Sequence, residues 1–280
     1  MPAPITPIPP SVLCFATGDA TGGADLQSDV LTLASMGCHP LSVVCAIAVR
    51  DTRGVDDLVP LDVDLVAAQA RAVLEDIPVR AFKLGMAGNV ENLAAIAEIL
   101  SDYPDVPLVL DPALSHLDGD DGAAEDYVAA LAELILPQAT LLVAGRHEIW
   151  RLAGSAGDED DDDTGSDGEG VSMLLGLGVD HVLVTGAGEP GLQYVNVLYG
   201  PGGIVRTDYW ERLGGHYLGA RATLSAAVAA ELAHGMDLRE AVREAQEFTW
   251  QTLNGAYRPG MGLALPDRLF WARDGGEGDD

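Results

Sequence analysis

Short apolar runs alternate along this chain with stretches of helical period. Residues 11–16 (SVLCFA), 40–49 (PLSVVCAIAV), 79–84, 106–111 (VPLVLD), 140–143 and 181–185 (HVLVT) have the length and near-continuous apolarity of strands buried on both faces. Between them, residues 30–37, 64–74, 90–100, 126–136, 148–153 and 171–177 repeat apolar side chains three and four apart, which predicts helices. Residues 196–199 and 203–207 flank GPGG and read as a hairpin. An alanine-rich helix over 223–232 and an amphipathic one over 238–253 follow. Strand and helix in alternation build right-handed βαβ units, so the fold class is α/β with a mostly parallel sheet. The longest uncharged apolar run, 40–49, is too short to cross a bilayer.

In such sheets ligands bind beyond the carboxyl ends of the strands. The segments TGDATGGAD, RDTRG, GMAG, DPALSH, AGRHE and GAGEPG each follow a predicted strand and should gather on one edge. The helix led by Gly219 belongs to the same edge. Bare N–H groups at its start favour an anion, although its alanines also suit close packing. This convergence predicts a small-molecule site.

Composition adds limits. The 280 residues are 48% hydrophobic, enough for one α/β domain spanning residues 1–280. Cys14, Cys38 and Cys45 are widely spaced in apolar surroundings and read as buried thiols, not as a disulfide framework or a metal site. The formal net charge of −29 argues against nucleic acid and acidic membranes as partners. Such an acidic excess is a solvation device, and a salt-rich cytoplasm is the hypothesis it supports; equal stability in dilute buffer would count against it. The N-terminus carries no basic region or signal-like apolar core, which predicts a cytoplasmic location. Residues 154–170 are acidic and of low complexity, which predicts a mobile surface insertion. Residues 274–280 read as a flexible tail.

The motifs carry a family resemblance over nearly the whole chain. FATGDATGGADLQSD is similar to A-G-[ST]-D-x-S-G-G-A-G-I-Q-A-D, AIAVRDTRGV to A-L-T-A-Q-N-T-x-G-V, KLGMAG to K-I-G-M-L-A, VLDPALSH to V-L-D-P-V-M-V-A, and RATLSAAVAA to the end of H-G-T-G-C-T-L-S-A-A. In order and spacing these motifs resemble the hydroxymethylpyrimidine/phosphomethylpyrimidine kinases of thiamine biosynthesis. These belong to the ribokinase-like superfamily, whose fold is a three-layer α/β/α sandwich. The resemblance implies a pocket for a pyrimidine or related heterocycle formed by Asp19, Gly22, Gly23, Ala24 and Asp29 with Met86, and it implies a homodimer. A glycine pair lets backbone approach a flat ring, and a carboxylate such as Asp29 can accept from an exocyclic amine. Turn and capping duty is the competing role of both aspartates.

The chemistry departs from the family in two places. Arg50 stands at the amide of A-Q-N-T, replacing a neutral donor–acceptor by a cationic donor fork. It meets an anionic ligand group, folds outward, or pairs with a carboxylate such as Asp51. On the nucleotide and metal side, made up of Asp111, Glu148, Thr185 and Gly186, the family's P-N-x-x-E becomes AGRHE. Glu148, which would hold Mg²⁺ through water, is retained, but Gly145 replaces the asparagine. Thr185 replaces the lysine of K-G-G. The family's G-T-G-[CD] reads Gly219, Ala220, Arg221, Ala222. Ala222 thus occupies the position of the base, whose help is typically worth about 10²–10⁴-fold. Gly219 and Arg221 remain anion-site candidates. Three expectations stay open: a heterocycle-binding relative with weak or absent kinase activity, an active ATP- and Mg²⁺-dependent kinase with Arg221 on phosphate and His216 or Asp208 as base, and a pyridoxal-type kinase. The apolar loop over 260–266 is expected to do structural work near the nucleotide side. Lys83, the sole lysine, is expected at a strand end.

Overall fold

The computed structural model describes residues 8–116, 122–154, 167–188 and 191–273. Nine strands form one sheet: β1 (Ser11–Asp19), β2 (His39–Arg50), β3 (Val55–Pro60), β4 (Val79–Leu84), β5 (Leu108–Leu110), β6 (Leu141–Gly145), β7 (Val182–Thr185), β8 (Gln193–Gly200) and β9 (Gly203–Glu211). Their order across the sheet is β3-β2-β1-β4-β5-β6-β7-β8-β9. The strands from β2 to β7 run parallel, while β3, β8 and β9 are antiparallel to their neighbours. Strand order reverses about β1, which lies between β2 and β4 and places a topological switch point beside its carboxyl end.

The helices are α1 (Asp25–Ser35), α2 (Val63–Leu74), α3 (Val90–Ser101), α4 (Gly122–Ala130), α5 (Arg146–Leu152), α6 (Asp167–Gly176), α7 (Ala220–Ala233) and α8 (Leu238–Asn254). The period-two rule divides the core into two faces. Leu13 and Phe15 of β1 pack with α2–α6, while Val12, Cys14 and Ala16 pack on the other face with α1, α7 and α8. This is the expected three-layer α/β/α sandwich. The alanines of α7 lie flat on that second face: Ala226, Ala227, Ala229 and Ala230 are fully buried.

Several boundaries differ from the sequence reading. Strand β3 was not foreseen, because VDDLVP places exposed aspartates on an edge strand and shows no apolar run. The hairpin β8–β9 is longer on both arms, and α1 starts at Asp25, five residues before the expected 30–37 segment. Helix α4 starts earlier than the expected 126–136 segment and ends in a π-helical turn, Leu131–Ile135. The acidic stretch expected over 154–170 ends in helix, since α6 already begins at Asp167. Residues 155–166 and the tail 274–280 lie outside the described residues. All three cysteines are buried and free. No helix of the described residues is long and apolar enough to cross a membrane.

Candidate functional site

The glycine turn after β1 is organised by one carboxylate. Fully buried Asp19 accepts from Thr21 N, Thr21 Oγ1 and Ala24 N, each at 2.8 Å. Gly22 adopts φ 72°, which only glycine takes without strain. The turn is pinned from behind by Arg268, whose guanidinium donates to the Gly23 carbonyl and Ser28 Oγ at 2.7 Å and to Thr223 Oγ1 at 3.0 Å. Burial pushes Arg268 down to about 10. Arg268 therefore ties the turn, α1 and the start of α7 together. Gly219, at φ 80°, sits against the Gly23 carbonyl so closely that a β-carbon there would collide with it.

Below this turn, Lys83 of β4 donates to Asp29 at 2.9 Å, and both side chains are buried. Burial raises Asp29 to about 6 against the opposing pull of Lys83. Burial also opposes the Lys83 charge, but Asp29 and Asp111 outweigh it and lift the ammonium to about 12. The expected placement of Asp29 beside a ligand amine is thereby corrected: it does not line the larger cavity, and its Oδ2 is paired with the lysine. Met86 is likewise buried in the core, its carbonyl accepting from Thr17 Oγ1 at 3.1 Å, and it does not line the cavity. Gly22 and Gly23 shape the turn behind the wall, whereas Ala24 lines it.

The wall encloses a cavity of about 730 Å³ between the glycine turn, the β2–β3 connection, Asp111 and the start of α7. Arg50 folds inward to line it, 3.5 Å from Asp25 and 3.9 Å from Asp19. Of the three fates considered for Arg50, pairing is realised, but with Asp25 instead of the Asp51 carboxylate. A second cavity of about 310 Å³ lies between β8, β9, α7 and α8, with Thr185, Trp210, Arg212 and Trp250 among its walls. Tyr217, Ala220 and Arg221 line both cavities and mark where they meet.

At that junction Arg221 spans two carboxylates. Its Nε donates to Asp111 Oδ1 at 2.6 Å, Nη2 donates to Glu148 Oε1 at 2.8 Å, and Nη1 is paired with Glu148 Oε2. The fork matches Glu148 bidentately, a geometry lysine cannot reproduce. Glu148 also accepts from Leu114 N at 3.2 Å and Gly145 N at 3.1 Å. Burial works against the guanidinium charge, but Asp111 and Glu148 outweigh it and raise its pKa. Ala222, one residue on, is buried and lines the larger cavity. Gly186 donates to Asn196 Oδ1 at 3.1 Å.

Neither candidate base lines either of these two cavities. His216 is exposed, and Asp208 is taken by Arg206 at 2.8 Å and Gln246 at 2.9 Å. The loop over 260–266 reaches back to the β2–β3 connection, where Leu263 N donates to the Thr52 carbonyl at 2.8 Å. It therefore borders the larger cavity through Leu263. Sequence reasoning missed Asp25, Tyr217 and Arg268. Asp25 had a signal, since it stands at a glycine of the resembled motif. Arg268 had none, as its partners lie 245, 240 and 45 residues away.

The phosphomethylpyrimidine kinase family model matches residues 19–266. The chain belongs to this family. It is 32% identical to the hydroxymethylpyrimidine/phosphomethylpyrimidine kinase of Streptomyces coelicolor over 97% of this chain and 99% of that one. The structure of phosphomethylpyrimidine kinase from Clostridium difficile superimposes with a TM-score of 0.71 and 28% identity, covering 86% of this chain and 98% of the other. Pyridoxal kinase from Staphylococcus aureus, solved with AMP-PCP and pyridoxal, shares the fold with a TM-score of 0.83 and 21% identity, covering 95% and 96% of the two chains.

The family resemblance implies Mg²⁺, and the residues here do not fit it. Asp111 Oδ1 and both Glu148 oxygens are engaged by the Arg221 guanidinium, whose positive charge opposes a second cation at the same oxygens. Among the described residues no group of three or more His, Cys, Asp or Glu could hold a metal ion.

Proposed function

We propose that this protein binds a small pyrimidine-type heterocycle in the larger cavity and performs little or no phosphoryl transfer to it. The observation that carries this reading is the Arg221 clamp. Phosphoryl transfer depends on positioning and on neutralising the charge of the phosphates. Where the cavities meet, one guanidinium engages two carboxylates, so the groups that would have to receive a metal ion are turned to an internal ion pair. Ala222 can take no proton from a substrate hydroxyl, and Gly145 and Thr185 supply neither the amide nor the ammonium of the resembled motifs. The heterocycle pocket, by contrast, keeps its organised turn, its Asp19 anchor and a volume suited to a small ligand.

A second reading, an active ATP-dependent kinase acting on a hydroxymethylpyrimidine or a pyridoxal-type substrate, is favoured by Arg221 itself. Its position at the meeting of the two cavities is where a phosphate passing between them would be held. The test combines two measurements on the intact protein. ADP release is followed with Mg-ATP and hydroxymethylpyrimidine, and thermal shift is measured with each ligand alone. The proposal expects stabilisation by the pyrimidine and ADP at background. Turnover that depends on the pyrimidine would favour the kinase, and stabilisation by neither ligand would refute both.

A further inference from the structure

We propose that the Asp25–Arg50 pair determines ligand specificity in the larger cavity, selecting a heterocycle whose edge presents hydrogen-bond acceptors, an oxo or carboxylate oxygen, over an aminopyrimidine. The inference rests on the larger cavity being a heterocycle site. The two residues are linked departures from one pattern: the resembled motifs carry glycine at Asp25 and glutamine at Arg50, and here the two side chains lie 3.5 Å apart in the same wall. Asp25 is held at φ 50°, a left-handed conformation that costs a non-glycine residue energy unless its surroundings enforce it. A charged side chain at a glycine position that also bends the backbone has a role to explain, and its ion pair with Arg50 is that role.

The side chain of Arg50 is 6% exposed. Its contacts among the described residues are long: Asp25 at 3.5 Å, Asp19 at 3.9 Å and, through Nε, the Asp51 carbonyl at 3.5 Å. Among the described residues Nε donates to the Asp51 carbonyl, and the rest of the planar fork remains for an acceptor brought into the cavity it lines. Glutamine can offer a carbonyl to an amine and an amide to a ring nitrogen, whereas arginine can only donate. Against the guanidinium an exocyclic amine would meet donors with donors, and the one carboxylate beside it, Asp25, is already committed to the ion pair with Arg50. An oxo or carboxylate oxygen would accept charge-assisted bonds, each stronger than a neutral one.

The experiment compares two matched probes, 5-hydroxymethylpyrimidine with an amino group and the same ring with an oxo group, by calorimetry and thermal shift. The wild-type protein should bind the oxo probe at least about tenfold more tightly, the scale of one charge-assisted hydrogen bond. The Asp25→Gly, Arg50→Gln double variant should reverse that order. Equal or tighter binding of the amino probe by the wild type overturns the inference and leaves the heterocycle site standing. Binding of neither probe by the wild type refutes the heterocycle site, and the inference with it. If the double variant does not fold, the wild-type ratio alone still decides.

Discussion

Replacing Arg221 by alanine removes the guanidinium that bridges Asp111 and Glu148 and exposes what the clamp does. The two carboxylates retain 4% and 9% side-chain exposure, so neither is well solvated once the guanidinium is gone. Removing one partner of a buried ion pair costs about 3–5 kcal/mol. Arg221 itself is 28% exposed, so water reaches the gap and the lower end, about 3 kcal/mol, is the expected loss. For a chain of this size that lowers the melting temperature by roughly 6–12 °C. The vacated oxygens would then form a site for a hard cation. Millimolar Mg²⁺ or Mn²⁺ should restore much of the loss in Arg221→Ala, and should do little when Glu148→Gln is added. The assay is thermal and urea unfolding of wild type, Arg221→Ala and Arg221→Ala, Glu148→Gln at constant ionic strength, since a chain of net charge −29 responds to any salt. A single variant within about 0.5 kcal/mol of wild type, or equal metal rescue with and without Glu148, would refute the reasoning.

Three other outcomes follow from the surroundings of the site. The folded pKa of Asp29 is raised to about 6 by burial, above its ordinary carboxylate value, so its contribution favours folding at pH below that ordinary value and is lost as pH rises through about 6. A protonated-carboxyl infrared band should titrate with a midpoint near 6 and be missing in Asp29→Asn; a band unaffected by that substitution contradicts the assignment. Burial pushes Cys45 up to about 12 and Cys38 up to about 11, so a thiol reagent at pH 8 should label none of the three cysteines in the native protein and all of them in urea. Native labelling of any one would contradict their burial. Gly219→Ala places a β-carbon against the Gly23 carbonyl at a positive φ, and this variant should lose more stability than Gly214→Ala, where nothing stands within reach. Equal stabilities would mean that the turn and α7 do not abut.

The layers of this fold were legible because the core strands are apolar on both faces, and a run such as SVLCFA reads most simply as a buried strand. The glycine turn and the Gly219 helix were legible from residues that special backbone angles demand. The edge strand β3 was not, because two exposed aspartates hide its period. The clamp was half legible. Arg221 stood out at a glycine position, but its pairing with Glu148 closes over 73 residues and its pairing with Asp111 over 110. No periodicity records such contacts. The same holds for Arg50, whose partner proved to be Asp25 across the turn, not the neighbouring Asp51 side chain.

The central claim is that Arg221 and Ala222 leave this family member without working phosphoryl transfer. Its most direct test is ADP release by the wild-type protein with Mg-ATP and hydroxymethylpyrimidine, beside an Arg221→Gly, Ala222→Cys, Gly145→Asn variant. The account predicts background release from the wild type and measurable turnover from the variant. Steady wild-type turnover that disappears in Arg221→Ala would contradict it.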